Sequence, residues 1–172
     1  MTALTSNDTA HKIQQGISYK QEGNAAFLQR DYVGALRSYH YATLYLAGLD
    51  EQVLQQFGGS SRGYDVREDQ KQLSQVRSNM AACYLAQERF ARAVHACDQA
   101  LVSDPSNAKA IFRKAQALRR QGAIYQAKDW LESDAVCEYV KGPDFDAEKS
   151  RIAVSISERE RKSHAKWRGF LS

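Results

Sequence analysis

Five polar residues carry the chemistry open to this chain. Lys20 and Asn24 are four residues apart, so on a helix they share one face. Lys109 and Arg113 have the same spacing, and Asn79 stands 30 residues before Lys109. Lysine and arginine supply positive charge and hydrogen-bond donors, while the asparagine amides supply neutral donors that fix orientation. Brought to one place, three cations and two amides make a receptor for a pair of carboxylates. Any one of them alone is an ordinary residue of a solvated helix face. Their mutually consistent positions within a repeating pattern are what set the five apart.

That pattern is clearest from Tyr19 to Ala42, YKQEGNAAFLQRDYVGALRSYHYA, which reads as a helix, a tight turn at Gln29–Asp31 and a second helix. Gly23, Tyr32, Ala35, Tyr39 and Ala42 stand where a helical hairpin places small and aromatic residues. The pattern returns at Ala81, Phe90, Ala93, Cys97, Ala100 and Pro105, and again at Ala115, Gly122, Ile124, Ala127 and Leu131. From Ala93 to Ala127 the step is 34 residues, the tetratricopeptide-repeat (TPR) period. From Ala35 to Ala93 it is 58, longer than one period by an insertion of 24. The expected architecture is all-α. It has three TPR helix-turn-helix units in a right-handed superhelical array, followed by a capping helix. Helix 1A is expected from about His11 to Gln29, and 1B from Asp31, its N-cap, to Leu46 or beyond. The insertion occupies about 47–67. Helix 2A is expected from about Glu68 to Gln87, 2B from Glu88 to Ser103, 3A from Asn107 to Gln121 and 3B from Ile124 towards Tyr139. A final helix, about Phe145 to Arg168, follows Gly142–Pro143, with Val154, Ile156 and Ala165 as its sparse apolar positions. The domain reading is a disordered polar tail (1–10), a three-repeat domain (11–140), and a capping helix with a basic tail (141–172). Stacked hairpins bury apolar faces that no single hairpin can cover, and they line one concave surface with successive first helices. Polar residues on those helices are therefore candidates for a peptide groove.

Composition bounds the function classes. At 172 residues with two prolines, the chain fits one helical domain, expected to be a monomer. No run of 18 apolar residues exists, so no membrane span is expected. The polar start MTALTSNDTAHKI lacks an apolar signal core. The three cysteines Cys83, Cys97 and Cys137 sit within helical patterns and read as reduced core filler in a cytoplasmic protein. The net charge of +4 is uneven, with seven Lys/Arg between Lys149 and Arg168 against Glu158 and Glu160. That basic stretch reads first as a solvated capping helix, and second as an amphipathic target for a calmodulin-like partner. The basic residues are not interleaved with aromatics as nucleic-acid binding requires.

No catalytic constellation can be assembled. His11, His40, His95 and His164 have no metal-ligand spacing, and there is no HExxH, CxxC or Ser-His-Asp arrangement. The adjacent acids Glu68 and Asp69 point to different sides of a helix. The turn-rich GGSSRGYD stretch lacks GxxxxGK[ST] and a preceding strand. The chain is thus expected to be no enzyme and to carry no cofactor or metal.

The stretches YKQEGN, SNMAACY and AKAIFRKAQAL resemble the carboxylate-clamp TPR domains of chaperone-binding proteins. The family pattern Lys-x3-Asn, then Asn, then Lys-x3-Arg is matched at Lys20, Asn24, Asn79, Lys109 and Arg113. The resemblance covers about residues 12–140 and extends to the TPR halves of large immunophilins and to tetratricopeptide-repeat-protein-9-like proteins. No isomerase domain is expected, since the chain begins with repeats. The resemblance implies a co-chaperone that holds the C-terminal Glu-Glu-Val-Asp (EEVD) of the 70- and 90-kDa heat-shock proteins (Hsp70 and Hsp90). Lys20, Asn24 and Asn79 would hold the terminal carboxylates, and Lys109 and Arg113, both expected to be exposed, an acidic side chain. The alternative is a TPR scaffold that binds a different peptide or helix through its groove or basic tail. Phe27, Tyr84, Ile111 and Phe112 lie near these positions and read mainly as inter-helix packing. Phe27, Tyr84 and Phe112 are also candidates for an apolar part of the groove. Arg119 and Arg120 either extend the positive groove or face water. Two departures stand out: Ala26 occupies a common tyrosine position, and ESDAVCEY replaces the usual end of the third repeat.

Overall fold

The structure, a computed structural model, describes residues 6–47 and 66–170. These form seven helices and no strand: α1 Ser6–Leu28, α2 Tyr32–Ala47, α3 Val66–Ala86, α4 Phe90–Ser103, α5 Ala108–Arg120, α6 Ile124–Glu132 and α7 Pro143–Phe170. Apart from its ends, the expected insertion lies outside the described residues, as do 1–5 and 171–172. Helix α1 starts at Ser6 rather than His11, so residues 6–10 of the expected disordered tail are helical.

The three hairpins turn by one device. Arg30, Glu88 and Gly122 adopt φ of 61°, 59° and 90°. Each is followed by a residue whose N–H reaches back five residues: Asp31 to Ala26, Arg89 to Tyr84, and Ala123 to Leu118. This is the Schellman arrangement, which satisfies the last carbonyls of a helix and reverses the chain. These left-handed positions are 58 and 34 residues apart, the steps of the alanine pattern. Glycine occupies only the third, so the first two tolerate a modest backbone strain. Asp31 then begins α2 as expected, its Oδ1 accepting from Gly34 N–H at 2.9 Å. Asn107 caps α5 in the same way through Ala110 N–H at 3.1 Å.

The repeat alanines explain how closely the helices approach. Ala35, Ala93 and Ala127 are fully buried, as are Ala42, Ala100, Ala81 and Ala115. A cluster around Tyr39, Leu46, Val76 and Cys83 ties α2 to α3 and α4, and another around Ile111, Leu131 and Ile152 ties α5 to α6 and α7. Cys83 and Cys97 are buried, as a filler role requires, and Cys137 is exposed.

The third repeat departs from expectation. Helix α6 stops at Glu132 instead of running towards Tyr139, because Ser133 turns extended and its hydroxyl donates to the Trp130 carbonyl at 2.9 Å. Helix α7 then docks along Phe145, Glu148 and Ile152, all buried. Val154 is 57% exposed and Ala165 is also exposed, so neither belongs to the docking face. The interior carboxylate of Glu148 accepts from Arg119 Nε at 2.6 Å and from Arg151 Nη1 at 3.2 Å. Beyond Ser157 every described side chain of α7 up to Arg168 is exposed, and Trp167 does not pack back onto the repeats.

Asp69, at the start of α3, is almost wholly buried, and its Oδ2 has no hydrogen-bond partner among the described residues. Burial pushes its carboxyl up to about 6 from an ordinary value near 4. The folded chain therefore holds this proton more tightly than the unfolded one, so stability is greatest below pH 4 for this group and falls as pH rises to 6. The penalty at neutral pH is at most about 3 kcal/mol. Asp69→Asn should raise the melting temperature at pH 7 and flatten its decline between pH 4 and 6, measured by circular dichroism.

Candidate functional site

The first helices of the three hairpins, α1, α3 and α5, lie side by side. Lys20, Asn24, Asn79, Lys109 and Arg113 all line one open cavity between them, of about 470 Å³. Gln75, Ser78, Asp104, Asn107 and Ala108 complete its walls.

Helix α3, in the middle, holds the outer two in place. From α1, Lys20 Nζ donates to Gln72 and Gln75 Oε1, each at 2.6 Å. Asn24 Oδ1 accepts from Asn79 Nδ2 at 3.0 Å. From α5, Arg113 Nη1 donates to the Ser78 carbonyl at 2.9 Å and hydroxyl at 2.6 Å. It also lies 3.4 Å from Asn79 Oδ1. Asn107 Nδ2 donates to Ser74 Oγ at 2.8 Å, which seats the start of α5 against α3.

Lys109 is exposed, as expected, but Arg113 is not. It is partly buried within electrostatic reach of Cys97, Tyr39 and Cys83, and the lost hydration pushes its pKa down. It nevertheless stays cationic, since arginine does not deprotonate in proteins. Both thiols are pushed up to about 12 by burial, so they are neutral and do not offset its charge. No ion pair among the described residues involves Lys109 or Arg113. The acid in the wall, Asp104, points Oδ1 at Ser106 N–H and hydroxyl, at 3.0 and 2.6 Å. The cavity is thus a concave surface with a surplus of positive charge and N–H donors.

Two further recesses adjoin it. One of about 230 Å³ shares Asn24, Asn79 and Arg113 and adds Phe27, Leu28, Tyr39 and Ala82. Another of about 480 Å³ shares Ala108, Lys109 and Arg113, and its apolar wall is Leu85, Phe112 and Phe145. Phe112 meets Phe145 edge to face at 5.4 Å, so the start of α7 closes this end. Tyr84 lines none of these spaces; it packs against Leu85 and Ala93 between α3 and α4. Ile111 is buried in the core.

The remaining cations of α5 do not extend the cavity. Lys114 pairs with Asp98 at 2.7 Å and lies 3.7 Å from the Trp130 ring centroid. Arg119 is held by Glu148, and Arg120 donates to the Leu85 carbonyl at 3.1 Å and Glu88 at 3.2 Å. Tyr39, Gln75 and Ser78 touch or line the site but were not legible as such. Tyr39 occupies an aromatic packing position of the repeat, and the serine and glutamine are unremarkable surface types. No group of three or more metal-ligating side chains occurs among the described residues.

No family model matches the chain. Protein PHOX3 of Arabidopsis thaliana is 34% identical over 99 residues, covering 56% of this chain and 10% of the relative. Protein unc-45 homolog B of Xenopus laevis is 27% identical over 147 residues, covering 86% of this chain and 14% of the relative. The chain therefore spans a small part of the curated relatives it matches. Among solved structures, the C-terminal TPR-containing domain of a Plasmodium falciparum FK506-binding protein superposes with a TM-score of 0.67 at 20% identity, covering 89% of this chain and 95% of that one. The first TPR of Spaghetti (RPAP3), bound to the HSP90 peptide SRMEEVD, gives 0.64 at 20% identity, with 84% and 98% covered. The second TPR domain of human RPAP3, in complex with the HSP70 peptide SGPTIEEVD, gives 0.59 at 22% identity, with 83% and 98% covered. Three hairpins built on one turn, their buried alanines at repeat spacing and these superpositions lead to one conclusion: the chain has the tetratricopeptide-repeat fold.

Proposed function

We propose that the chain is a non-enzymatic interaction module that captures the free, acidic C-terminus of a cytosolic chaperone. The observation that carries this reading is the convergence of Lys20, Asn24, Asn79, Lys109 and Arg113 on one cavity. A carboxylate gains most from charge-assisted bonds of this kind, and two carboxylates use more of the available donors than one. Lys20, Asn24 and Asn79 would hold the main-chain carboxylate, with Lys109 and Arg113 on an acidic side chain. The recess at Phe27 and Ala82 suits a small aliphatic residue beside the terminus. The recess at Phe112 and Phe145 suits an apolar residue further upstream. The two solved TPR domains with chaperone peptides support this partner class, since both peptides end in EEVD behind an apolar residue.

The test is titration of the purified chain with a peptide ending in Met-Glu-Glu-Val-Asp, as free acid and as C-terminal amide. Micromolar binding of the acid, about −8 kcal/mol, that weakens at least tenfold on amidation is the expected result. Equal binding of both, or none, would refute the reading. A second reading, a basic docking helix for a calmodulin-like or other acidic partner, draws on the exposed stretch 157–168 of α7. Truncation after Ser157 would abolish that binding and leave the peptide titration unchanged.

A further inference from the structure

The amides of the cavity are ordered by a chain of hydrogen bonds whose direction has only one solution. Arg113 carries donors and no acceptor. The atom of Asn79 that faces it, 3.4 Å away, is therefore the carbonyl oxygen, and the amino group of Asn79 turns to Asn24 at 3.0 Å. Asn24 in turn presents Oδ1 inward. The Tyr39 hydroxyl lies 2.8 Å from that same oxygen and donates to it. Both inward lone pairs of Asn24 are thus filled, and its Nδ2, which makes no bond inward, remains for the cavity that Asn24 lines.

Tyr39 reaches this position because Gly23, the residue before Asn24, has no side chain. A Cβ there would sit 2.5 Å from the Tyr39 ring. The ring is buried under α1, and burial pushes the hydroxyl pKa up to about 12, so the group remains a donor at neutral pH.

We propose that Tyr39 is a positioning residue for the carboxylate site: with Arg113 it locks the polarity of Asn24 so that the cavity offers N–H groups and not carbonyl lone pairs. The site consequently favours an ionised chain terminus over a carboxamide. This rests on the peptide-capture reading above and adds a residue that sets its selectivity by orienting Asn24, its hydroxyl being turned to the Asn24 oxygen.

The experiment compares wild type, Tyr39→Phe and Asn24→Asp, each titrated with the acid and amide forms of the Met-Glu-Glu-Val-Asp peptide and each melted. Tyr39→Phe should bind the acid about five- to tenfold more weakly, the effect of one hydrogen bond, with unchanged amide affinity. Asn24→Asp should melt within a few degrees of wild type, because its carboxylate still accepts both inward bonds, and should lose acid binding by at least about 100-fold. If wild type does not distinguish acid from amide, the capture reading fails and this proposal with it. If wild type distinguishes them and Tyr39→Phe does so in the same ratio, the positioning role alone is wrong. Should Tyr39→Phe not fold, Asn24→Asp decides: a large drop in melting temperature would mean that Asn24 turns its amino group inward, against the proposal.

Discussion

Lys109→Glu is expected to weaken binding of an EEVD-type peptide by at least about 100-fold, roughly 3 kcal/mol, and to leave the fold intact. Lys109 is exposed, lines the cavity and makes no ion pair among the described residues, so its replacement removes no interior contact. Reversal also sets a negative charge where the peptide acid must sit. Arg113→Ala should abolish binding as strongly, but for two reasons that must be separated. Its guanidinium also holds the Ser78 carbonyl and hydroxyl, so truncation strips partners from a buried serine and costs about 1–3 kcal/mol of stability. Calorimetric titration paired with thermal melts distinguishes the two. Lys109→Glu should lose affinity alone, and Arg113→Ala affinity and melting temperature together. Normal binding by Lys109→Glu would show that the cation is surface decoration.

Arg119→Met is expected to destabilise the chain by about 3 kcal/mol, because it strands the buried Glu148 carboxylate with only Arg151 beside it. For a protein of this size that is a fall in melting temperature of about 6–12 °C. The Glu148 side chain is fully buried whereas Arg151 is 56% exposed, so Arg151 is a poor substitute for the lost partner. The double change Arg119→Met/Glu148→Leu should recover most of the loss, since an apolar pair of similar volume replaces a buried ion pair at little cost. Failure of the double variant to recover would mean that Arg119 stabilises α5 in some other way. Because Phe145 lies just before Glu148 on α7 and closes the recess at Phe112, undocking α7 should also weaken binding of the upstream part of a peptide.

Much of this molecule is legible in the one-dimensional pattern. Alanines at 34- and 58-residue steps mark where helices must touch, and all of them are buried. The turn after α5 is signalled by Gly122. The turns at Arg30 and Glu88 fall where the pattern places them, at Gln29–Asp31 and at the Gln87–Glu88 boundary, but their left-handed geometry is not signalled, because it is imposed there on residues with no intrinsic preference for it. The departure of ESDAVCEY from the repeat pattern marks the end of the third hairpin as irregular, but the stop at Glu132 depends on a hydroxyl-to-carbonyl bond at Ser133 that the pattern does not encode. Glu148 carries no signal in the pattern, and its burial is made possible by the guanidinium that α5 supplies.

The sequence by itself determined the repeat class, the order of the hairpins and the five polar residues worth gathering. These follow from local propensity and from periodicities that act within one helix or between adjacent ones. Only the tertiary structure decided that the five line a single cavity, that Arg113 is half-buried and pinned while Lys109 is exposed, and that Tyr84 packs between helices. It alone revealed the bond chain from Arg113 through Asn79 and Asn24 to Tyr39. Those contacts join residues as many as 55 positions apart. They depend on the exact stacking of α1 against α3 and α5, and no pattern within a single helix encodes it.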